Sequence, residues 1–337
     1  MAKFLSRLSP DMPGRFLAAL AVALTFVVFL TVDQMHWWQL KPDYAFGWLV
    51  PVFVVYVVGD RWPRLREIFS ATGPSPLPRG VRWILSATAG LVLGCSLAFF
   101  LVGAVYRAGS GATQPGSLAL AIGFSGVLLG MVYFNVPDGC VGPPASGWGA
   151  LRSDARLRAT ALFLFPALIW IISAPLVTAV ENAISLFLLR KVTTVVFTVF
   201  SLLGYPLVQE GNVLLLPHGQ VGVADACSGI RSLTGCLFAG SFLAAVFLDR
   251  FWKKILLVAA AMAFAFLTNL LRSLFLTSWA YAYGSDAIAG RLHDTTGYAV
   301  LGLTCIGLFC LLPFFRAANW RRWLRLAPLP SASKPAA

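Results

Sequence analysis

Charge is what this sequence has least of. Only 12% of its 337 residues are Asp, Glu, Lys or Arg, against about 25% in soluble globular domains. With 58% hydrophobic residues and a mean hydropathy of +0.79, that scarcity excludes an ordinary cytosolic enzyme, a disordered chain and a DNA-binding domain. Acidic residues are the scarcer sign: 13 stand against 26 basic ones, a net charge of +13. Cysteine is sparse as well. Its six copies form no Cys-x-x-Cys pair and no regular spacing, which argues against a disulfide framework or a zinc site. The three histidines suit no metal-ligand spacing, and no Gly-rich phosphate loop occurs. Neither a metal nor a cofactor is expected, and nucleic acid is not an expected partner.

Long apolar runs take the place of what is missing. A helix needs about 20 mostly apolar residues to cross a bilayer. Eight stretches qualify, at about 16–32, 44–58, 83–105, 117–134, 159–180, 227–248, 255–277 and 297–315. The second is short and contains Pro51. Residues 1–32 resemble a signal peptide, with Lys3, Arg7 and Arg15 ahead of an apolar run. That run is long and more spans follow, so an uncleaved first helix is expected.

The basic residues orient these spans. With the N-terminus inside, the inner segments hold Lys3, Arg7 and Arg15, then Arg61, Arg64, Arg66, Arg79 and Arg82, then Arg152, Arg156 and Arg158. They also hold Arg250, Lys253 and Lys254, then Arg316, Arg321, Arg322, Arg325 and Lys334, which makes 19 in all. The outer segments hold five, Lys41, Arg107, Arg190, Lys191 and Arg291. This is the positive-inside pattern, and it places both termini in the cytoplasm. Only Arg231 and Arg272 remain, and both fall within predicted spans.

Residues 184–203 are apolar enough for a ninth span, but Arg190 and Lys191 interrupt them. A ninth crossing would also reverse every later segment, so an amphipathic helix on the outer interface is expected. Beyond it, residues 212–216 and 221–224 flank Pro217-His218-Gly219-Gln220, the pattern of a short β-hairpin. The expected fold is therefore all-α: a single transmembrane domain over residues 1–326 with about eight spans. An extracytoplasmic interfacial helix and hairpin occupy 181–226, and a Pro- and Ala-rich tail at 327–337 is expected to be disordered.

In so apolar a chain the polar residues at membrane depth are the informative ones. Three clusters stand out: Asp225-Ala226-Cys227-Ser228-Gly229-Ile230-Arg231-Ser232, Asn269-Leu270-Leu271-Arg272-Ser273, and Arg291-Leu292-His293-Asp294-Thr295-Thr296-Gly297-Tyr298. The span assignment puts all three on the outer side. Cys227 lies at the expected start of a helix, where the dipole favours the reactive thiolate. Arg272 is charged at any accessible pH and suits an oxyanion, and His293 suits proton transfer to a leaving amine. Cys, His and a cationic oxyanion partner form a plausible acyl-transfer site.

Plainer roles remain for the neighbours. Cys95, Cys236, Cys305 and Cys310 read as core residues, and Cys140 as a free thiol in an inner loop. Arg231, four residues past Cys227, rivals Arg272 for the thiolate or positions substrate, with Asp225 or Asp294 as its natural partner. Asn269 shares a helix face with Arg272. His36 belongs with Trp37 and Trp38 to an outer aromatic belt, and His218 is a turn residue. Gly229 and Gly297 suit close helix packing. A transporter or a non-enzymatic envelope assembly protein remains an alternative. A transporter would need a polar path continuing toward the cytoplasm, and the first five spans hold almost no ionisable residue.

Ala-Cys-Ser-Gly-Ile-Arg, Asn-x-x-Arg and His-x-x-x-Gly, in that order on successive outer helix ends, resemble the exosortase/archaeosortase family. Gln209-Glu210-Gly211-Asn212, the turn at 216–219 and Tyr44-Ala45-Phe46-Gly47 add to the resemblance, which is strongest over about 180–315. Phe46 stands where the family often has a small or polar residue. The resemblance implies a membrane cysteine peptidase or transpeptidase with Cys227 as nucleophile, Arg272 as oxyanion or thiolate partner and His293 as acid/base. Arg231, Asn269, Ser228, Asp225 and Asp294 would support or position. The implied substrates are secreted proteins ending in a short motif such as Pro-Glu-Pro, a transmembrane helix and a basic tail. They would be cleaved near the motif and passed to an envelope acceptor on the outer face of the cytoplasmic membrane.

Overall fold

The computed structural model describes residues 12–70, 74–142, 146–217, 219–222, 230–288 and 290–316, apart from the side chains of His293, Asp294, Leu301 and Arg316. Helix α1 (Gly14–Leu40) leads through a 3-10 turn (Pro42–Leu49) into α2 (Val50–Phe69). Next come α3 (Arg79–Ser110), α4 (Gln114–Asn135), the short α5 (Trp148–Ser153), α6 (Ala155–Ser173) and α7 (Thr178–Leu202). Strands β1 (Val208–Glu210), β2 (Val213–Leu216) and β3 (Gly219–Gly222) precede α8 (Ile230–Phe247) and α9 (Phe251–Tyr283). A 3-10 turn (Ser285–Ile288) joins α9 to α10 (Arg291–Arg316). Among the described residues nine helical segments are long and apolar enough to cross a membrane. The chain is a polytopic all-α membrane protein with one small sheet. Pro51 lies in the first turn of α2, where a missing N–H has no helical partner to lose.

Eight of the nine long segments alternate in direction. At one end, Phe16 packs on Phe69 with ring centroids 4.7 Å apart, and the Ala155 N–H donates to the Gly139 carbonyl at 3.0 Å. Lys253 Nζ donates there to the Phe315 carbonyl at 2.7 Å. At the other end, the Trp38 indole donates to the Ser173 carbonyl at 3.2 Å, Asp33 pairs with Arg107, and Thr234 Oγ1 donates to the Asp43 carbonyl at 2.9 Å. The arginine-rich segments among the described residues gather at the first end, here called the basic end.

Helix α7 is the ninth long segment, a continuous 25-residue helix that starts ahead of the expected 184–203. Its start is held at the end opposite the basic one. Lys41 forms a 2.5 Å ion pair with Glu181, and Gln114 bonds both Glu181, at 3.3 Å, and Thr178. Its finish lies at that same end: Phe200 and Tyr205 pack on Tyr281 near the end of α9, with centroids 6.0 and 5.3 Å apart. A crossing helix would separate its two termini across the bundle. Helix α7 does not, so α6 leaves and α8 enters at one end and the alternation of the other eight survives.

The expected hairpin is present as β2 and β3, whose register pairs Leu216 with Gly219 across a two-residue connection. It gains a third antiparallel strand, β1, pairing Gln209 with Leu214 through a turn in which Gly211 has φ 62°. Leu216 and Val221 seat the sheet on Ala280, Tyr281 and Ile288.

Two packing devices hold the helices. Along the α3–α4 hairpin, small residues bring backbones into contact: a Cβ on Gly123 would lie 2.5 Å from the Phe100 backbone nitrogen, the close approach that small-residue stripes permit in membranes. In α6, Pro166 lies inside the helix and has no N–H for the Leu162 carbonyl four residues earlier. Buried Arg61 of α2 donates to that carbonyl. It also donates, at 3.0 Å, to the Ala245 carbonyl in the last turn of α8, which has no helical partner either.

Candidate active site

The antiparallel registers bring one level of α8, α9 and α10 together. A Cβ on Gly240 would lie 2.7 Å from Ala261 Cβ, so counting outward puts the start of α8 level with Leu271 and Arg272. Helices α9 and α10 meet through the Thr268 and Thr304 hydroxyls, 3.0 Å apart. One turn further out, Arg272 Nη2 lies 3.5 Å from where a Cβ on Gly297 would stand. Residue 293 is one helical turn before Gly297 on the same face of α10. The Arg272 guanidinium is thus held against the helix face that carries His293.

Helix α9 presents Asn269, Ser273 and Thr277 at intervals of four residues, all buried. This polar stripe begins on the same turn as Arg272. The sequence marks Asn269 and Ser273, and the structure extends the stripe to Thr277. Gly222, at the end of β3, and Ile230, at the start of α8, bound the seven residues that include Asp225, Cys227 and Ser228. Those three lie outside the described residues, as do His218 and the tail at 327–337. His293 and Asp294 are described only as backbone within α10.

Arg231 gains a partner that the sequence does not suggest. The sequence puts it inside a span, as the structure does, and suggests Asp225 or Asp294 as its partner, whose side chains lie outside the described ones. It is the second residue of α8, largely exposed, and its Nε lies 3.2 Å from Asp43 Oδ1. With Thr234 bonded to the Asp43 carbonyl, it ties the start of α8 to the 3-10 turn between α1 and α2. Asp43 is the residue that sequence reasoning missed. The available signal was its place next to Tyr44-Ala45-Phe46-Gly47.

That motif is itself a packing device. The fully buried Tyr44 hydroxyl accepts the Leu176 N–H at 3.0 Å, Phe46 packs on Phe238 with centroids 4.8 Å apart, and the Trp38 indole fills the space a side chain at Gly47 would need. A large apolar residue at position 46 is therefore accounted for by an aromatic contact across to α8.

The fold and this geometry define a class: a multispanning membrane protein whose polar groups gather at one end of three neighbouring helices. A family model described as transmembrane exosortase (Exosortase_EpsH) matches residues 37–310, and the chain belongs to that family. The match takes in all three polar clusters and the 3-10 turn. No curated protein and no solved structure matches the chain.

Proposed function

We propose that the chain is a membrane cysteine transpeptidase that cleaves C-terminal sorting signals of the Pro-Glu-Pro type from secreted proteins. The active site would face the extracytoplasmic side of the cytoplasmic membrane, with the basic end and both termini in the cytoplasm. The observation that carries this reading is the placement of Arg272 against Gly297, one turn from His293 and level with the start of α8, three residues after Cys227.

In the proposed reaction the Cys227 thiolate attacks the scissile carbonyl, and the tetrahedral oxyanion forms beside the Arg272 guanidinium. The intermediate collapses to a thioester as the leaving amine takes a proton from the His293 imidazolium. An acceptor amine, or water, then attacks the thioester and gives its proton back to His293, which releases Cys227. Arg231, fixed by Asp43, lies on the outer turn of α8 and would position the substrate motif. Asn269 and Ser228 would complete the polar surroundings, with Asp225 and Asp294 as further charges near the site.

Cys227→Ala tests this directly in cells that carry a tagged candidate substrate ending in motif, helix and basic tail. The uncleaved precursor should accumulate while the amount of membrane-inserted enzyme stays at the wild-type level. Processing that continues unchanged would overturn the proposal.

A further inference from the structure

A groove of about 400 Å³ opens on the flank of the bundle between α6, α8 and α9. Its walls are apolar, with Leu168 and Ile172 of α6 facing Val258 of α9, and at the basic end it meets Arg61, Asp249 and Lys254. From Ala161 to Ile172 it runs about 16 Å along α6, little more than half of a ~30 Å hydrocarbon core. A transmembrane polypeptide helix would need a groove of full thickness. A single acyl chain entering from the leaflet at the basic end needs only this depth.

The charges at the mouth favour an anion. Asp249 is 3.8 Å from Arg64, and Arg61 keeps its charge while bonding two neutral carbonyls. Half-buried Lys254 has three donors; the acidic group in its field is Asp249, which it shares with Arg64, so the cations at the mouth outnumber the carboxylate. A cation beside apolar walls is costly until an anion meets it. A basic substrate tail would be repelled here, whereas basic pockets between helices at this membrane face suit lipid head groups. We infer that the groove binds an anionic phospholipid, its phosphate on Lys254 within the field of Arg61 and one acyl chain along α6.

Native mass spectrometry of the full chain, released from nanodiscs holding equal parts of phosphatidylglycerol and phosphatidylethanolamine, tests this. Wild type should retain phosphatidylglycerol in preference, Lys254→Gln should lower that preference about fivefold, and Lys254→Arg should keep it. Ser241→Phe, which fills the apolar wall, should lower retention of both lipids. Equal retention of the two lipids by wild type, or an unchanged preference in Lys254→Gln, would overturn the inference. If Lys254→Gln does not fold, the wild-type comparison decides alone. A photoreactive side chain at Leu168 that captures a polypeptide in place of lipid would also overturn it.

Discussion

At the residue scale, Gly297 is the position on which the proposed site turns. A methyl group there would stand 3.5 Å from Arg272 Nη2, an ordinary van der Waals distance, so Gly297→Ala should process substrate at close to the wild-type rate. A longer side chain needs the volume the guanidinium occupies. Gly297→Leu should therefore behave like Arg272→Gln, with cleavage slowed about 100-fold or more, the size expected from losing an oxyanion donor. Immunoblots should show both variants in the membrane at normal levels, which separates the effect from misfolding. If Gly297→Leu cleaves as fast as wild type, the contact between Arg272 and α10 has no part in the chemistry. Arg231 answers to a different partner, so Asp43→Asn should loosen the start of α8 without moving Arg272.

At the element scale, a proline and an arginine 105 positions apart solve one problem together. Pro166 leaves a carbonyl of α6 without its helical donor, and Arg61 supplies two hydrogen bonds that join α2, α6 and α8. Charge-assisted bonds to buried carbonyls are worth about 1.5–3 kcal/mol each. Arg61→Ala should therefore cost on the order of 3 kcal/mol, read as a lower melting temperature of the purified protein. Arg61→Lys should recover only part of it, since one ammonium cannot fork between two helices. None of this was legible in the sequence, where Arg61 registers only as one more inner charge. The spans were legible because burial in lipid demands continuous apolar runs, but their lengths were not. Helix α9 has 33 residues, about 50 Å, and hydropathy sees only the part inside the ~30 Å core. Strand β1 went unseen because Gln209 and Glu210 have low strand propensity and pair through backbone alone. The sequence marks Arg272 and Gly297 in separate polar clusters, and the structure brings those two together. The pairing of Arg231 with Asp43 was not legible, since it depends on how a turn 188 positions away folds back.

At the scale of the whole molecule, the +13 charge and the path of α7 state the same topology independently. The segments at the basic end concentrate basic residues, and some of them do structural work there: Lys253 caps the carbonyl of Phe315 at the end of α10, and Arg61 does so for α8. A cation at a helix C-terminus is favourable, so helices that end at the basic face are stabilised by the same residues that make that face basic. Were α7 a true crossing, α8 to α10 would invert relative to α1 to α6, and Arg61 of α2 would no longer meet the end of α8. Hydropathy cannot decide this, because α7 passes the length and composition test; the contacts at its two ends do. Single cysteines placed at Val180 and Leu202, near the two ends of α7, in a variant with its native cysteines replaced, should both react with a membrane-impermeant maleimide applied to one side. A cysteine at Trp148, in the basic segment before α6, should react only from the other. Labelling of Val180→Cys and Leu202→Cys from opposite sides would make α7 a ninth crossing and would move Arg272, and the chemistry proposed for it, to the other face of the membrane.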